Sequence, residues 1–316
     1  MPQRNESDGI DGVATVVGRL RDEILLERRS TVENGGIDVG KRCDGMPELE
    51  DDQRDQPLDD EEVCLDLGEP SPEVIDYARR ELGETDDVKC RTLQELRDMI
   101  YEEHPEIHQD IRPLEMKYIG DDDVVSVPPY RTQCGRRIMI YRLGNWDPRK
   151  YSVEEIFKAT IIILELGVLE PRAQILGGTV IFDLEGITMA HAWTITPQVA
   201  NMVIALMVSA FPMKTHAIHI LHQSWVFDVM FSVFKPLLDA RMQKKIFFHG
   251  GNMDSLHKHI SPFHLPKRYG GIREELPYYK WIDNLSKVPQ IVKEMKQLGY
   301  IVPEEILQQL GQLIED

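Results

Sequence analysis

The pattern of apolar and polar positions divides the chain into parts of different character. Up to about residue 68 the apolar positions follow no sustained period, and nine of the fifteen residues from 48 to 62 are acidic. Such a stretch repels itself and buries little apolar surface, so we expect residues 1–68 to be a largely disordered acidic tail. Residues 69–122 predict a helical region, with amphipathic helices over 72–82 and 89–102.

From residue 123 onward, strand patterns and helix patterns alternate. Short buried runs predict strands, and longer runs with apolar residues every three or four positions predict helices. The alternation predicts an α/β domain over 123–285 with a mainly parallel sheet, followed by C-terminal helices over 286–316. The predicted strands cover 137–141, 179–184, 217–221 and 245–248, and the predicted helices of the domain cover 153–166, 197–211 and 225–238.

Two of these helices are more apolar than their position requires. A helix on the surface of an α/β domain needs one apolar stripe, whereas residues 157–166 and 225–234 are apolar on more than one face. Either the helices are buried under other segments, or one face lines a cavity for an apolar ligand or touches a membrane. The pattern alone leaves these alternatives open.

Composition and charge narrow the classes of partner. The chain has 316 residues, of which 42% are hydrophobic, and a net charge of −18, which disfavours nucleic acid as a partner. It also disfavours anionic membranes unless positive charge is gathered locally. We find no signal-peptide pattern and no apolar run of the roughly 18 residues that a transmembrane helix needs. Four scattered cysteines argue against a zinc site and a disulfide framework and fit a reducing compartment.

Candidate catalytic groups are few. No glycine-rich nucleotide loop and no nucleophile elbow occur, and the neighbours of Ser224 are too large for such an elbow. Asp183 and Glu185 would share one face of a strand and could form an acid–base pair, although bracing the next segment is the simpler interpretation. A serine hydrolase is therefore a remote alternative, and we expect no enzyme and no cofactor.

The histidines do not predict a metal site. His216, His219 and His222 are three residues apart, so on a strand His219 points away from the other two. We interpret His219 as a buried, hydrogen-bonded histidine. The remaining histidines after residue 245 match no zinc-ligand spacing.

Five motifs in a fixed order carry a resemblance to a known family. They are YRTQCGRR at 130–137, VIFDLEG at 180–186, FPMK at 211–214 followed by IH at 218–219, FKPLL at 234–238, and LPKRYGG at 265–271. Over about residues 71–285 the chain resembles the CRAL-TRIO (Sec14-like) lipid-binding family, in its animal branch of α-tocopherol transfer protein, cellular retinaldehyde-binding protein and clavesin.

The resemblance implies a sheet that forms the floor of a lipid pocket, closed by a mobile lid helix at residues 225–238. The ligand would be a tocopherol, a retinoid or a similar hydrophobic lipid. The tocopherol carrier has a serine where this chain has Leu164, whereas Thr160 keeps a hydroxyl. Pocket positions of the family fall on Phe157, Thr160, Leu164, Phe182, Val203, Leu206, Met207, Phe211 and Ile218, and lid positions fall on Trp225, Phe227, Val229, Met230, Phe231 and Phe234.

The resemblance also implies recognition of phosphatidylinositol bisphosphate by a basic cluster at Lys214, His216, Arg241 and Lys245. His216 replaces an arginine of the family and is mostly neutral at pH 7. The implied protein is cytoplasmic, associates peripherally with endosomal or other internal membranes, and transfers its lipid between membranes without chemistry. The alternative within the family is a clavesin-like endosomal trafficking adaptor.

One part of the family pattern has no match. The family's N-terminal helices normally carry a segment of the kind DDxFLLRFLRARKF, whereas here Leu96 is followed within a few residues by His104 and Pro105. About forty residues are absent by this comparison. We expect an incomplete N-terminal helical region and a stability below that of a version with the segment restored.

Overall fold

The computed structural model describes residues 65–83, 85, 113–204, 213–298 and 300–310. The predicted acidic tail up to residue 64 and the helix predicted at 89–102 lie outside these residues. The described part contains a five-stranded sheet covered by helices.

The sheet confirms the predicted α/β architecture with mainly parallel strands. Its strands lie side by side in chain order, with β1 antiparallel to β2 and every later neighbour parallel. Strand β1 has two residues, too few for an alternating pattern, and was not predicted. The strands are β1 Val125–Ser126, β2 Arg137–Arg142, β3 Gly178–Asp183, β4 Thr215–Leu221 and β5 Ile246–Gly250.

Helices connect and cover the strands. They are α1 Pro72–Tyr77, which continues as a π-turn over Ala78–Leu82, α2 Lys117–Asp121, α3 Val153–Val168, α4 Pro171–Leu176, α5 Met189–Thr194, α6 Pro197–Ile204, α7 Trp225–Phe234, α8 Ala240–Gln243, α9 Met253–His257, α10 Tyr278–Leu285, α11 Pro289–Gln297 and α12 Glu304–Leu310. The helix predicted over 197–211 is described as far as Ile204.

Local sequence signals explain where several helices begin and end. Ser152 starts α3 with a capping box: its backbone N–H donates to Glu155 Oε2 at 2.7 Å, and its Oγ accepts from the Glu155 N–H at 3.3 Å. Pro72 opens α1, and Gly83, with φ of 65°, ends the turn that follows. Helix α7 ends at Phe234, earlier than predicted, because Pro236 has no N–H to continue the ladder; a 3₁₀ turn, Lys235–Leu237, follows.

The two faces of the sheet have different neighbours. Strand residues alternate, so Ile181 and Leu221 face a core layer behind the sheet with Leu256, Leu265 and Tyr269. The residues at the alternate positions of the same strands point to the opposite face of the sheet, which we call the front. Helices α3, α5 and α7 lie on that side. Register places Ile181 beside His219, and His219 beside Phe247.

A buried carboxylate ties the segment before α1 to the sheet. Glu170 is fully buried; its Oε1 accepts from the Asp66 N–H at 2.7 Å, and its Oε2 accepts from Arg137 Nε at 2.8 Å. Arg131 lies 3.0 Å from the same carboxylate. Burial opposes ionisation, but the two guanidinium groups and the backbone N–H hold the pKa of Glu170 below its usual value.

Cysteine use departs from the sequence prediction. Cys134 is disulfide-bonded, whereas the scattered cysteines had predicted no disulfide framework. The spacing argument failed here because a disulfide depends on distance in the fold, and cysteines far apart along a chain can still meet. The other three cysteines all lie outside the described residues.

Candidate functional site

An apolar cavity lies on the front of the sheet, between the strands and helices α3, α5 and α7. Its volume, measured as the space open to the centre of a water molecule, is about 180 Å³. A single water needs roughly 10–15 Å³ by the same measure, so the cavity has room for an organic molecule. The described lining residues are Tyr141, Leu143, Trp146, Val153, Ile156, Phe157, Thr160, Phe182, Leu184, His191, Ile195, Val203, Ile204, Ile218, Ile220, Phe227, Met230, Phe231, Phe234, Leu238, Met242 and Ile246.

Most polar atoms in the lining are already paired with protein groups. The N–H of Thr188 donates to His191 Nδ1 at 2.9 Å, so the other ring nitrogen carries the proton and donates to the Trp146 carbonyl at 2.8 Å. The indole N–H of Trp146 in turn donates to the Tyr151 carbonyl at 2.9 Å. His191 and Trp146 therefore present carbon surfaces to the cavity.

One pair of hydroxyl groups gives the wall a polar point. Tyr141 OH, at the end of β2, and Thr160 Oγ1, on α3, lie 2.9 Å apart, and each side chain is buried to within 4% exposure. Burial raises the pKa of Tyr141, so the phenol is neutral at all ordinary pH values. Two hydroxyls share one hydrogen bond here, so the pair keeps acceptor lone pairs that could bond a polar group of a ligand.

Helix α7 presents apolar side chains on both faces. Phe227, Met230, Phe231 and Phe234 follow helical spacing and line the cavity. Trp225 and Val229 lie on the other side of the helix and are 66% and 45% exposed. Of the alternatives raised by the apolar excess, complete burial of this helix is therefore wrong. The inner face borders the cavity and the outer face meets solvent.

A second exposed aromatic group stands on the neighbouring helix α5. Trp193 is 77% exposed, and α5 packs against α7. Exposed apolar surface of this kind, with one tryptophan on each of two packed helices, is typical of a site that contacts another molecule or a membrane.

The predicted pocket residues fall into three groups. The structure brings Phe157, Thr160, Phe182, Val203 and Ile218 together around the cavity. Leu164 instead borders a smaller cavity of about 60 Å³ near the carboxyl end of α3, whose lining also includes Met213 and Trp281. Leu206, Met207 and Phe211 lie outside the described residues.

Three of the four predicted basic positions lie at the amino-terminal ends of β4 and β5. Lys214 is exposed just before β4, and Lys245 donates from Nζ to the Thr215 carbonyl at 2.8 Å just before β5. Burial, and then neighbouring positive charges, lower the pKa of His216 to about 3, so this side chain is neutral at pH 7. Those charges belong to Arg136, Lys214 and Lys245.

Arg241 stands apart from this arrangement. It pairs with Asp239 at 3.2 Å, and both side chains are largely exposed. Helix α8 ends at Gln243, so Arg241 and Lys245 do not share a continuous helical face. A ligand would have to compete with Asp239 for the guanidinium.

The Asp183 carboxylate braces the carboxyl ends of β3 and β4. Its Oδ1 accepts from the Glu185 N–H at 3.1 Å and lies 2.7 Å from His222 Nδ1, and its Oδ2 accepts from Tyr269 OH at 3.0 Å. His222 has a φ of 52°, in the left-handed region that residues other than glycine adopt uncommonly. One ligand atom from each of Asp183, Glu185 and His222 lies within 4.8 Å of the others, but the Asp183 oxygens are taken by donors. This geometry matches the bracing role weighed for Asp183.

The family model of the CRAL/TRIO domain matches residues 122–271. The matched span contains the sheet, the cavity and α7. These residues, a little under half of the chain, are therefore similar to the CRAL/TRIO domain.

Several known proteins are similar to this chain over part of its length. A mouse (Mus musculus) protein named "Alpha-tocopherol transfer protein-like" is 25% identical over 249 residues, which cover 66% of this chain and 73% of that protein. Rat (Rattus norvegicus) Clavesin-1 is 28% identical over 244 residues, covering 64% and 69%. Human (Homo sapiens) Clavesin-2 is 33% identical over 145 residues, covering 46% and 43%. A solved structure titled "Crystal structure of Sfh5" is 14% identical and has a TM-score of 0.42, covering 67% of this chain and 78% of that one.

Several residues that line the cavity were not predicted. The prediction missed Tyr141, Ile220 and Ile246, although each lies on a predicted strand and faces the front of the sheet. Strand alternation from Phe182 and Ile218 was the signal that could have found the first two. Trp146 and His191 lie in segments without a periodic pattern and had no such signal. Within the described residues, no helix combines the length and the apolar character needed to cross a bilayer.

Proposed function

We propose that the chain binds one hydrophobic, lipid-like molecule in the front cavity and transfers it between membranes without changing it chemically. The observation that carries this proposal is the apolar cavity itself, bounded by the sheet, α3, α5 and α7. An unfilled apolar cavity costs about 24 cal/mol per Å³, so 180 Å³ left empty would cost about 4 kcal/mol. A bound apolar molecule recovers much of that free energy.

The cavity favours a ligand with one small polar group on an apolar body. The paired hydroxyls of Tyr141 and Thr160 can accept or donate one bond to such a group, while the remaining described lining offers carbon surface. A tocopherol or a retinoid has this character. The similarity to proteins named for tocopherol transfer supports that class of ligand.

Helix α7 would act as the lid of the cavity. Its inner aromatic face closes the cavity, and its outer face, with Trp225 and Val229, is suited to enter the interface of a bilayer. Trp193 on α5 extends this outer surface. When the lid opens, the inner face of α7 leaves the apolar surroundings of the cavity, and contact with a membrane would replace them.

We further propose that Lys214, Arg241 and Lys245 recognise a phosphoinositide head group. Lys214 and Lys245 carry positive charge at one end of the sheet, close to His216, where Arg136 adds to it. Such a local cluster can attract phosphate although the net charge of the chain is −18. The proposed setting is the cytoplasmic surface of endosomal or other internal membranes.

Vesicle flotation tests the head-group proposal. We expect the chain to float with phosphatidylcholine vesicles that contain phosphatidylinositol bisphosphate, and to lose this preference in the Lys214→Ala, Arg241→Ala, Lys245→Ala triple variant. The matched control removes the same charge from three exposed lysines of α10 and α11, at Lys280, Lys293 and Lys296. Equal loss in both triple variants would show that total charge, and not the cluster, governs binding.

A second candidate function is a phosphoinositide-binding adaptor in endosomal trafficking, favoured by the similarity to clavesins. This function would require the basic cluster but not an exchangeable ligand. The two candidates separate when the cavity is blocked by Ile218→Trp, because Ile218 faces the cavity from β4. Loss of lipid transfer with unchanged flotation is the result expected for a carrier, whereas an adaptor would keep its cellular activity in this variant.

A further inference from the structure

Three imidazole rings form a tight cluster behind the sheet, on the face opposite the cavity. The ring centroids of His219, His249 and His259 are 5.1, 5.2 and 5.6 Å apart. His219 Nδ1 lies 2.9 Å from His249 Nε2, and His249 Nδ1 lies 2.8 Å from Ser255 Oγ. This chain of hydrogen bonds joins β4, β5 and α9. His219 and His249 are 1% and 6% exposed.

The surroundings of the cluster are neutral or positive. Among the described residues, no carboxylate is among the charges that act on these rings. On α9, Asp254 is exposed, and His257 Nε2 lies 2.8 Å from the Tyr269 carbonyl. The titratable groups that act on the three rings from the packed elements are His216 and Lys258, together with the three histidines themselves. His216 in turn lies near the positive charges of Arg136, Lys214 and Lys245.

Burial is the main cause that keeps these histidines uncharged. It lowers the pKa of His219 to about 3 and that of His249 to about 4, and the neighbouring histidines add to both effects. The pKa of His259 is also lowered, first by burial and then by Lys258. One of the two nitrogens in the His219–His249 hydrogen bond must carry a proton, and the other must accept it. If both rings were protonated, neither nitrogen could accept, and the hydrogen bond would be lost.

Strand β5 connects this cluster to the cavity. Among the described strands it lies at the edge of the sheet and pairs only with β4. Phe247 and His249 point to the back, where Phe247 stacks on His219. Ile246 and Phe248 point to the front, where Ile246 lines the cavity and Phe248 contacts Phe227 and Phe231 of α7.

We propose that the histidine cluster makes β5 acid-labile, so that protonation separates β5 from β4 and opens the cavity wall beneath α7. Two protonated rings 2.9 Å apart would repel each other and lose their shared hydrogen bond. Within the part of the chain that the structure describes, the strand has no second neighbour in the sheet to hold it in place. Release of a ligand by this route rests on the proposed function, whereas the opening of β5 does not.

The direction of the effect follows from proton linkage. A histidine that is neutral in the closed form and has its ordinary pKa of about 6.5 in the open form binds more protons when open. Stability of the closed form is therefore full above pH 6.5 and is lost as the pH falls toward the pKa values of the closed form. From pH 7 to pH 5 each such histidine shifts the opening equilibrium about 25-fold, and His219 with His249 shift it on the order of 500-fold.

Hydrogen exchange of the ligand-free chain tests the opening. We expect the amides of Ile246–Gly250 to lose protection on the order of 500-fold between pH 7 and pH 5, after correction for intrinsic exchange rates, while those of Gly178–Asp183 lose much less. His249→Gln should make the change in β5 about 25-fold smaller than in the wild type, because one titrating group of the cluster is removed. His257→Gln, outside the cluster, should leave it unchanged.

Two results would overturn the proposal. One is protection of β5 that changes less than threefold over this pH range in the wild type. The other is an equal pH dependence in His249→Gln. Because the readout is a pH dependence within each protein, a lower overall stability of the variant does not obscure it.

The consequence for the cavity is measured separately. The chain is loaded with α-tocopherol and mixed with phosphatidylcholine vesicles at pH 7 and pH 5, and we expect faster transfer at pH 5. Opening of β5 without faster transfer would overturn the link between the cluster and the cavity. A chain that takes up no tocopherol or retinoid counts against the proposed function, and the exchange experiment then decides the opening alone.

Discussion

The hydroxyl pair in the cavity wall permits a quantitative test of how the cavity is built. Thr160→Val keeps the shape of the side chain but removes the partner of Tyr141 OH, which is 2.9 Å away and buried. A buried hydroxyl without a partner costs about 1–3 kcal/mol, so we expect Thr160→Val to lower the free energy of unfolding by that amount.

Tyr141→Phe should cost less. It leaves the Thr160 hydroxyl, which can donate to a carbonyl one turn earlier in α3, so we expect a loss of about 0.5–1.5 kcal/mol. The double variant leaves no hydroxyl to satisfy, so its loss should be no larger than that of Tyr141→Phe alone. The coupling energy between the two positions should therefore be about 1–3 kcal/mol.

Urea denaturation of the four ligand-free proteins measures this cycle. Coupling below about 0.5 kcal/mol, the range in which independent positions add, would refute the hydrogen bond as drawn. The same four proteins test the orientation of the ligand. A lipid with a terminal hydroxyl should bind about tenfold more weakly to Thr160→Val, a change of about 1.4 kcal/mol, whereas its methyl ether should bind both proteins alike.

Three further changes test contacts that hold the fold around the cavity. Glu170→Gln removes the buried carboxylate that pairs with the largely buried guanidinium groups of Arg131 and Arg137, and it should cost about 3–5 kcal/mol. Asp283→Asn, in an exposed pair, should cost less than about 1 kcal/mol, and similar losses in the two variants would be contrary to our account. Ser152→Ala removes the capping box of α3 and should cost about 0.5–2 kcal/mol by urea denaturation. Gly177→Ala places a Cβ 2.1 Å from the Lys214 carbonyl at a φ of 78° and should prevent accumulation of folded protein, whereas Gly251→Ala has open space and should not.

Much of the fold could be predicted from the sequence because local periodicity specified it. Strands β2, β3, β4 and β5 lie within two residues of their predicted bounds, since each is a short, mainly apolar run of sequence next to turn residues. Helix α3 was marked at its start by Ser152 and Glu155. Strand β1 was missed because two residues carry no period.

The site was less predictable because it depends on contacts between distant positions. Tyr141 and Thr160 are 19 residues apart, and His219 and His249 are 30 apart, so their pairing depends on how strands and helices register in three dimensions. The apolar excess of α7 did indicate a second task for that helix. Sequence could not assign its faces, since the choice between cavity and solvent is made by the neighbouring elements.

The central claim is that the front cavity holds one hydrophobic molecule. Native mass spectrometry of the chain purified from cells, under conditions that keep lipids bound, tests this most directly. We predict a species heavier than the chain by one small lipid, and loss of that species in Ile218→Trp, whose larger ring occupies the cavity. Wild-type protein that is consistently empty after expression in a lipid-rich host, or equal occupancy in the blocked variant, would contradict the account.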